Sequence, residues 1–247
     1  MSDAAPTYLI FGAYGGVGSS LARILASRGA RLALSGRNRD PLDELAEELD
    51  AAALPADAAD FEAVESAVTE TVDRFGRLDG VVNCAGSILL KPAHLTRPQE
   101  WFDTLETNLT TAFAVVRAGT RALMEGDGGS IVLISTAAAS IGLPNHEAIA
   151  AAKGGIDALV RSAAATYGAR GVRVNAVAPG LVDTPLAERI TRNDKARERS
   201  EAMHALGRIG TPDDVAKAID WLLSDRASWV TGQVLGVDGG LGRVRSD

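Results

Sequence analysis

Tyr8-Leu9-Ile10-Phe11-Gly12-Ala13-Tyr14-Gly15-Gly16-Val17-Gly18 is the stretch on which the fold turns. Its first four residues are apolar or aromatic and read as a buried strand. The glycines that follow are spaced G-x-x-x-G-x-G. They open directly into a helical pattern to Arg28, with Val17, Leu21, Ile24 and Leu25 at helical spacing. Glycines let a backbone approach a pyrophosphate closely. The first turn of the helix adds unpaired N–H groups at the positive end of its dipole. A tight structural turn is the plainer alternative, since the chain has 26 glycines. The strand-loop-helix setting favours phosphate binding.

Working outward, short apolar runs keep alternating with longer helical patterns. Strands are expected at Arg31 to Ser35, Ala51 to Pro55, Leu78 to Val82, Ser130 to Ser135, Val172 to Val177 and Gln233 to Val237. Helices are expected from Asp40-Pro41, over Phe61 to Phe75, Gln99 to Met124, His146 to Tyr167 and Asp213 to Leu223. Asp40 reads as an N-cap with Pro41 at the first helical position. Apolar strands each followed by a helix give an α/β fold: one Rossmann-like doubly wound parallel sheet of about seven strands, flanked by helices. We take 1–247 as a single domain. The charge-rich stretch 186–204 reads either as a solvated helix or as a substrate lid beyond the strand C-termini.

Composition narrows the class. The chain has 247 residues, 46% of them hydrophobic, with a formal charge of −7. That is enough for a full core, and it argues against a general nucleic-acid or anionic-membrane surface. The one cysteine, Cys84, excludes an intrachain disulfide and a cysteine-rich zinc site; the three histidines lack metal-ligand spacing. No apolar run approaches 18 residues, and the N-terminus does not resemble a signal peptide. The expectation is a cytoplasmic protein with no metal, no nucleic acid and no membrane partner.

Ser35-Gly36-Arg37-Asn38-Arg39 follows the second strand. An acid at that strand end would accept from the ribose hydroxyls of NAD. Arg37 and Arg39 stand near it instead, and a guanidinium suits a 2′-phosphate. NADP(H) is the expected cofactor; solvated turn residues are the alternative.

With these motifs in order the chain resembles the short-chain dehydrogenase/reductase family, from Thr7 to about Gly240. The resemblance implies a cofactor site formed by Gly12, Tyr14, Gly16, Val17, Gly18 and Arg37, with Asp57 at the adenine. It further implies that Asn83, Ala85 and Gly86 of Asn83-Cys84-Ala85-Gly86 shape the loop after the fourth strand. Asn175 to Thr184, through Pro179, Gly180, Val182 and Thr184, resembles the stretch that meets the carboxamide. Thr231-Gly232 and Val237-Asp238-Gly239-Gly240 resemble the family's C-terminal signature. The resemblance also implies a homotetramer or homodimer acting on a small molecule, and a role for Asn108 in holding a water near Lys153.

The family's chemistry is carried by Ser, Tyr and Lys, the last two as Y-x-x-x-K. Here the segment is Ile149-Ala150-Ala151-Ala152-Lys153. Lys153 matches, where the resemblance implies that it binds the nicotinamide ribose and adds positive potential, and Ile149 stands in the tyrosine's place. Counting back puts Thr136 at the serine position, with Ser135 and Ser140 as neighbours. Ketone reduction leaves charge on oxygen, so an acid must supply a proton, and Ile149 has none to give. Positions three or four apart share a helix face, which makes His146 the candidate substitute. His204 and His94 are weaker candidates. An iminium substrate would need no acid.

Three functions follow. The first is an atypical NADP(H)-dependent oxidoreductase with Thr136, Lys153, Asn108 and His146 at its catalytic centre. The second is an NADP(H)-binding sensor, or a non-catalytic subunit beside an active paralogue. The third is a non-redox enzyme on the same scaffold. Trp221, Leu222, Leu223, Trp229 and Val230 read as core and subunit interface.

Overall fold

The computed structural model describes residues 5–244. Seven parallel strands form one sheet: β1 Thr7–Phe11, β2 Arg31–Gly36, β3 Ala52–Pro55, β4 Gly80–Asn83, β5 Gly129–Ile134, β6 Val172–Pro179 and β7 Val234–Val237. Their order is β3-β2-β1-β4-β5-β6-β7. The helices are α1 Gly16–Ser27, α2 Arg39–Leu49, α3 Phe61–Phe75, α4 Pro98–Leu105, α5 Thr111–Glu125, α6 Glu147–Tyr167, α7 Glu188–Thr191, α8 Asp194–Met203 and α9 Pro212–Leu223. The doubly wound sheet expected from the sequence is therefore the fold of the chain.

Both faces of the sheet are covered, and the strand period of two divides the core. Leu9 and Phe11 of β1 pack with Val81, Ile131 and Val174 under α3, α5 and α6. Tyr8 and Ile10 pack with Val82, Val132 and Val177 under α1, α2 and α9. Burial on both faces is why the strands read as continuous apolar runs rather than as alternating ones. Each buried Leu, Ile or Phe adds roughly 1.5–3 kcal/mol of transfer free energy. Strand order reverses at β1, between β2 and β4. The loops leaving the C-terminal ends of β1 and β4 therefore splay apart and open a crevice.

Two local expectations change. Helix α2 starts at Arg39 with Asn38 as N-cap, not at Pro41 with Asp40 as N-cap. Pro41 lies in the first turn, where N–H groups have no intrahelical partner, so its missing N–H does not resist the earlier start. The helix expected from Gln99 to Met124 is continuous but not uniform. Between α4 and α5 it contains a π turn, Glu106–Thr110, in which the Thr111 N–H bonds back to the Glu106 carbonyl. Such an inserted residue leaves the apolar period almost unchanged, so the pattern does not reveal it.

Candidate active site

The crevice is a cleft of about 450 Å³ running from the β2 end to α6. Every cofactor position expected from the sequence lines it except Asn83. Asn83 is buried beneath the loop. Its amide donates to Thr111 Oγ1 at 3.1 Å and its Oδ1 accepts the Ala85 N–H at 3.1 Å, which shapes the segment from Cys84 to Gly86.

At the phosphate end, Gly12 has φ +70°, and a Cβ there would meet Ala85 N at 2.6 Å. Gly15 caps α1 with no side-chain hydrogen bond, and no acidic residue stands in the first turn. The first N–H groups of α1 are thus free for an anion. Tyr14 lays its ring over Gly36, and its hydroxyl accepts the Asn38 N–H at 3.2 Å. Arg37 is exposed at the same end of the cleft; Arg39 does not line it. Asp57 lines the same end and accepts the Ala59 N–H at 3.0 Å. A cradle in which side chains are sterically excluded, next to a bare helix start and a guanidinium, fits a phosphorylated dinucleotide.

At the other end stand Thr136, Ile149, Lys153 and Asn108. Ile149 and Lys153 are four residues apart on α6 and are 5% and 6% exposed. The Lys153 ammonium donates to the Ile134 carbonyl at 2.7 Å. Burial pulls its pKa down from 10.5 to about 8, opposed by the nearby Cys84 and Asp157. Thr136 Oγ1 accepts the Ala138 N–H at 3.3 Å and reaches the Pro179 carbonyl at 3.5 Å. Asn108 sits on the π turn. Its Oδ1 accepts the Ser87 N–H at 3.1 Å, while its amide donates to Ser87 Oγ and the Thr104 carbonyl, both at 2.9 Å. It therefore ties the loop after β4 to the helix.

The histidines stand outside the cleft. His146 caps α6 with its ring turned back, Nδ1 2.7 Å from the Pro144 carbonyl. His94 is exposed in the short turn Ala93–Leu95. His204 is buried, with both ring nitrogens engaged: Nδ1 donates to the Ser200 carbonyl at 2.6 Å and Nε2 accepts the Leu181 N–H at 3.3 Å. Of the stretch 186–204, Leu186 and Ala187 reach the cleft, while α8 buries none of its residues. Arg197 of α8 pairs with Asp183 at 3.3 Å, tying the segment to the loop after β6.

Two features of the site go beyond the sequence expectations. Ser135 Oγ donates to Asp157 at 2.5 Å, and burial raises the Asp157 pKa. The acid four residues after Lys153 was the available signal. The half-buried Cys84 lines the cleft as a thiol that burial pushes up to about 12.

A family model described as enoyl-(acyl carrier protein) reductase matches residues 12–242. The 3-oxoacyl-(acyl-carrier-protein) reductase FabG of Thermotoga maritima is 35% identical over 242 residues, covering 94% of this chain and 96% of that protein. The L-rhamnose 1-dehydrogenase (NAD(P)(+)) of Azotobacter vinelandii is 38% identical over 248 residues, covering 95% and 96%. Among solved structures, a short-chain type dehydrogenase/reductase from Mycobacterium ulcerans superposes with TM-score 0.94 at 35% identity, covering 100% of this chain and 93% of the other. A point variant of the actinorhodin polyketide ketoreductase with NADPH superposes with TM-score 0.92 at 29% identity, covering 97% and 98%.

Proposed function

We propose, starting from the fact that this chain belongs to the short-chain dehydrogenase/reductase family of oxidoreductases, that it is an NADP(H)-dependent enzyme acting at a small carbonyl, alcohol or imine. The carrying observation is that one cleft holds the glycine loop and Lys153, with Ile149 on the same wall one helical turn away. When bound, the nicotinamide supplies or accepts hydride. The chain's own residues do the rest. Gly12, Gly16, Val17 and Gly18 present backbone to the pyrophosphate, Arg37 meets the 2′-phosphate and Asp57 the adenine. Thr184, packed on Gly16, closes the crevice from the β6 side. Thr136 and Asn108 order the reacting end, and Ile149, Ile88 and Leu186 give it an apolar wall.

A homotetramer fits the exposed apolar residues. Phe102 and Phe113 are 60% and 49% exposed along α4 and α5, and Trp229 is 98% exposed just before the edge strand β7. Among the described residues no helix is long and apolar enough to cross a membrane. The lone cysteine suits a reducing compartment such as the cytoplasm.

Ile149 also favours a second reading, NADP(H) binding without turnover as a sensor or a subunit beside an active paralogue. NADPH binding followed by fluorescence, then NADPH consumption against paired ketones and cyclic imines, separates the two. Binding with turnover of either class supports the enzyme. Binding with no turnover across both classes moves the assignment to the second reading.

A further inference from the structure

Resting on the oxidoreductase reading, we propose that Lys153 is itself the proton donor to the substrate oxygen, taking the role that a phenol at position 149 would have had. The geometry carries this first. Lys153 lies one helical turn from Ile149 on the same face of α6, and both line the cleft. The ammonium has three N–H donors, and one points at the Ile134 carbonyl at 2.7 Å. Gly86 keeps the space before it open: a Cβ there would lie 3.5 Å from Lys153 Nζ and 3.0 Å from Asn108 Oδ1.

The alternatives are placed or bonded elsewhere. His146 faces away and His204 has both ring nitrogens engaged. Tyr14 lies over Gly36, at the opposite end of the cleft. The Cys84 thiol at about 12 is a weak acid, and Thr136 offers only an aliphatic hydroxyl. Glu106 also lines the cleft, but from the exposed π turn and not from the Ile149 face of α6. The charged or titratable groups acting on Lys153 are Cys84, from the loop after β4, and Asp157, from its own helix. Asn108, Ser135 and Thr136 from the other elements are neutral. Burial outweighs the Cys84 thiol and the Asp157 carboxyl and brings Lys153 to about 8, where an acid works well near neutral pH.

The step balances. The carbonyl π bond breaks as its carbon takes hydride from the reduced cofactor and its oxygen takes a proton. One Nζ–H bond of Lys153 breaks and one O–H bond forms. The substrate is reduced by two electrons, the cofactor is oxidised by two, and the neutral amine regains its proton from water.

The test pairs a ketone with an N-methylated cyclic iminium cation, which needs hydride but no proton. Wild type and Lys153→Arg are compared after NADPH binding has been measured by fluorescence. Arginine keeps the charge but does not give up a proton at neutral pH. The expected result, at saturating NADPH, is a ketone-to-iminium kcat ratio lower by about 100-fold in the variant, whatever loss the two substrates share from the altered side chain at the cofactor. Ketone kcat in wild type should fall as pH rises through about 8, with iminium kcat flat across that range. Equal losses on both substrates, or unimpaired ketone reduction by the variant, would overturn the proposal and leave the oxidoreductase reading intact. If wild type binds NADPH and reduces neither, the oxidoreductase reading fails and the donor role fails with it; where ketone reduction is seen, lysine Nζ NMR checks the acid independently. The chain has four lysines, so the resonance lost in Lys153→Arg identifies its signal. Titration near 8 in the NADPH complex supports the donor; titration at 10 or above rejects it.

Discussion

His204 accepts the backbone N–H of Leu181 on Nε2 at 3.3 Å, joining the end of α8 to the wall of the cleft. Its Nδ1 donates to the Ser200 carbonyl at 2.6 Å, so these partners select the neutral Nδ1–H tautomer. Near-complete burial makes both bonds structural. Replacing His204 by Leu leaves a buried N–H and a carbonyl without partners, at a cost of about 1–3 kcal/mol. The expected readout is a Tm lower by about 2–4 °C per kcal/mol and faster proteolysis within 186–204. An unchanged Tm together with unchanged cleavage would show that His204 anchors nothing.

Lys153 should oppose folding at neutral pH. Its pKa falls from 10.5 to about 8 in the folded chain. Between those values the unfolded chain binds more protons than the folded one, so stability rises with pH from 8 to 10.5. Lys153→Met should remove that slope; the burial cost of about 3 kcal/mol that it lifts at pH 7 is offset by about 1–3 kcal/mol for the Ile134 carbonyl left without its donor. Chemical denaturation of both proteins at pH 7 and pH 10 isolates the slope. A wild-type stability that does not rise relative to the variant between those pH values would contradict the burial cost.

Arg37 should set cofactor choice. Arg37→Ala removes the guanidinium at the ribose end of the cleft, and a charge-assisted bond is worth about 1.5–3 kcal/mol. NADPH affinity by calorimetry should fall roughly 10–100-fold while NADH affinity stays within about threefold. Parallel losses for the two nucleotides would place Arg37 outside 2′-phosphate recognition.

Ile149→Tyr should raise ketone kcat/KM at least about tenfold, which needs only about 1.4 kcal/mol at the barrier. Position 149 lines the cleft one turn from Lys153, so a phenol there gains a neighbouring cation that lowers its pKa. A folded variant with full NADPH binding and no gain would mean that proton supply does not limit the reaction.

The parallel sheet was legible because its strands are short apolar runs bounded by glycines and separated by amphipathic helices. The tight loop after β1 was legible from its glycines, and Gly12 and Gly18 do occupy places where a Cβ would strike backbone. The reacting end was less so. His146 shares a helical spacing with Ile149, yet spacing does not fix where a residue at the helix start turns its ring. Here it turns to Pro144. The Asn108 turn was hidden because one inserted residue barely disturbs a helical period. The state of Lys153 depends on burial by segments far apart in sequence, which local pattern does not record.

The contact between Gly16 and Thr184 also has a bearing on synthesis. The cleft draws its walls from residues 11 to 187, so the loop after β1 leaves the ribosome well before the wall it faces. At about 5–20 residues per second, that opposite wall arrives roughly ten to thirty seconds later. Strand β1 also waits for β4 to cover its second edge. Through that interval apolar strands stand exposed to aggregation and to chaperones, with the cleft not yet closed around them. A nucleotide that grips both walls stabilises only chains that have been translated past Thr184.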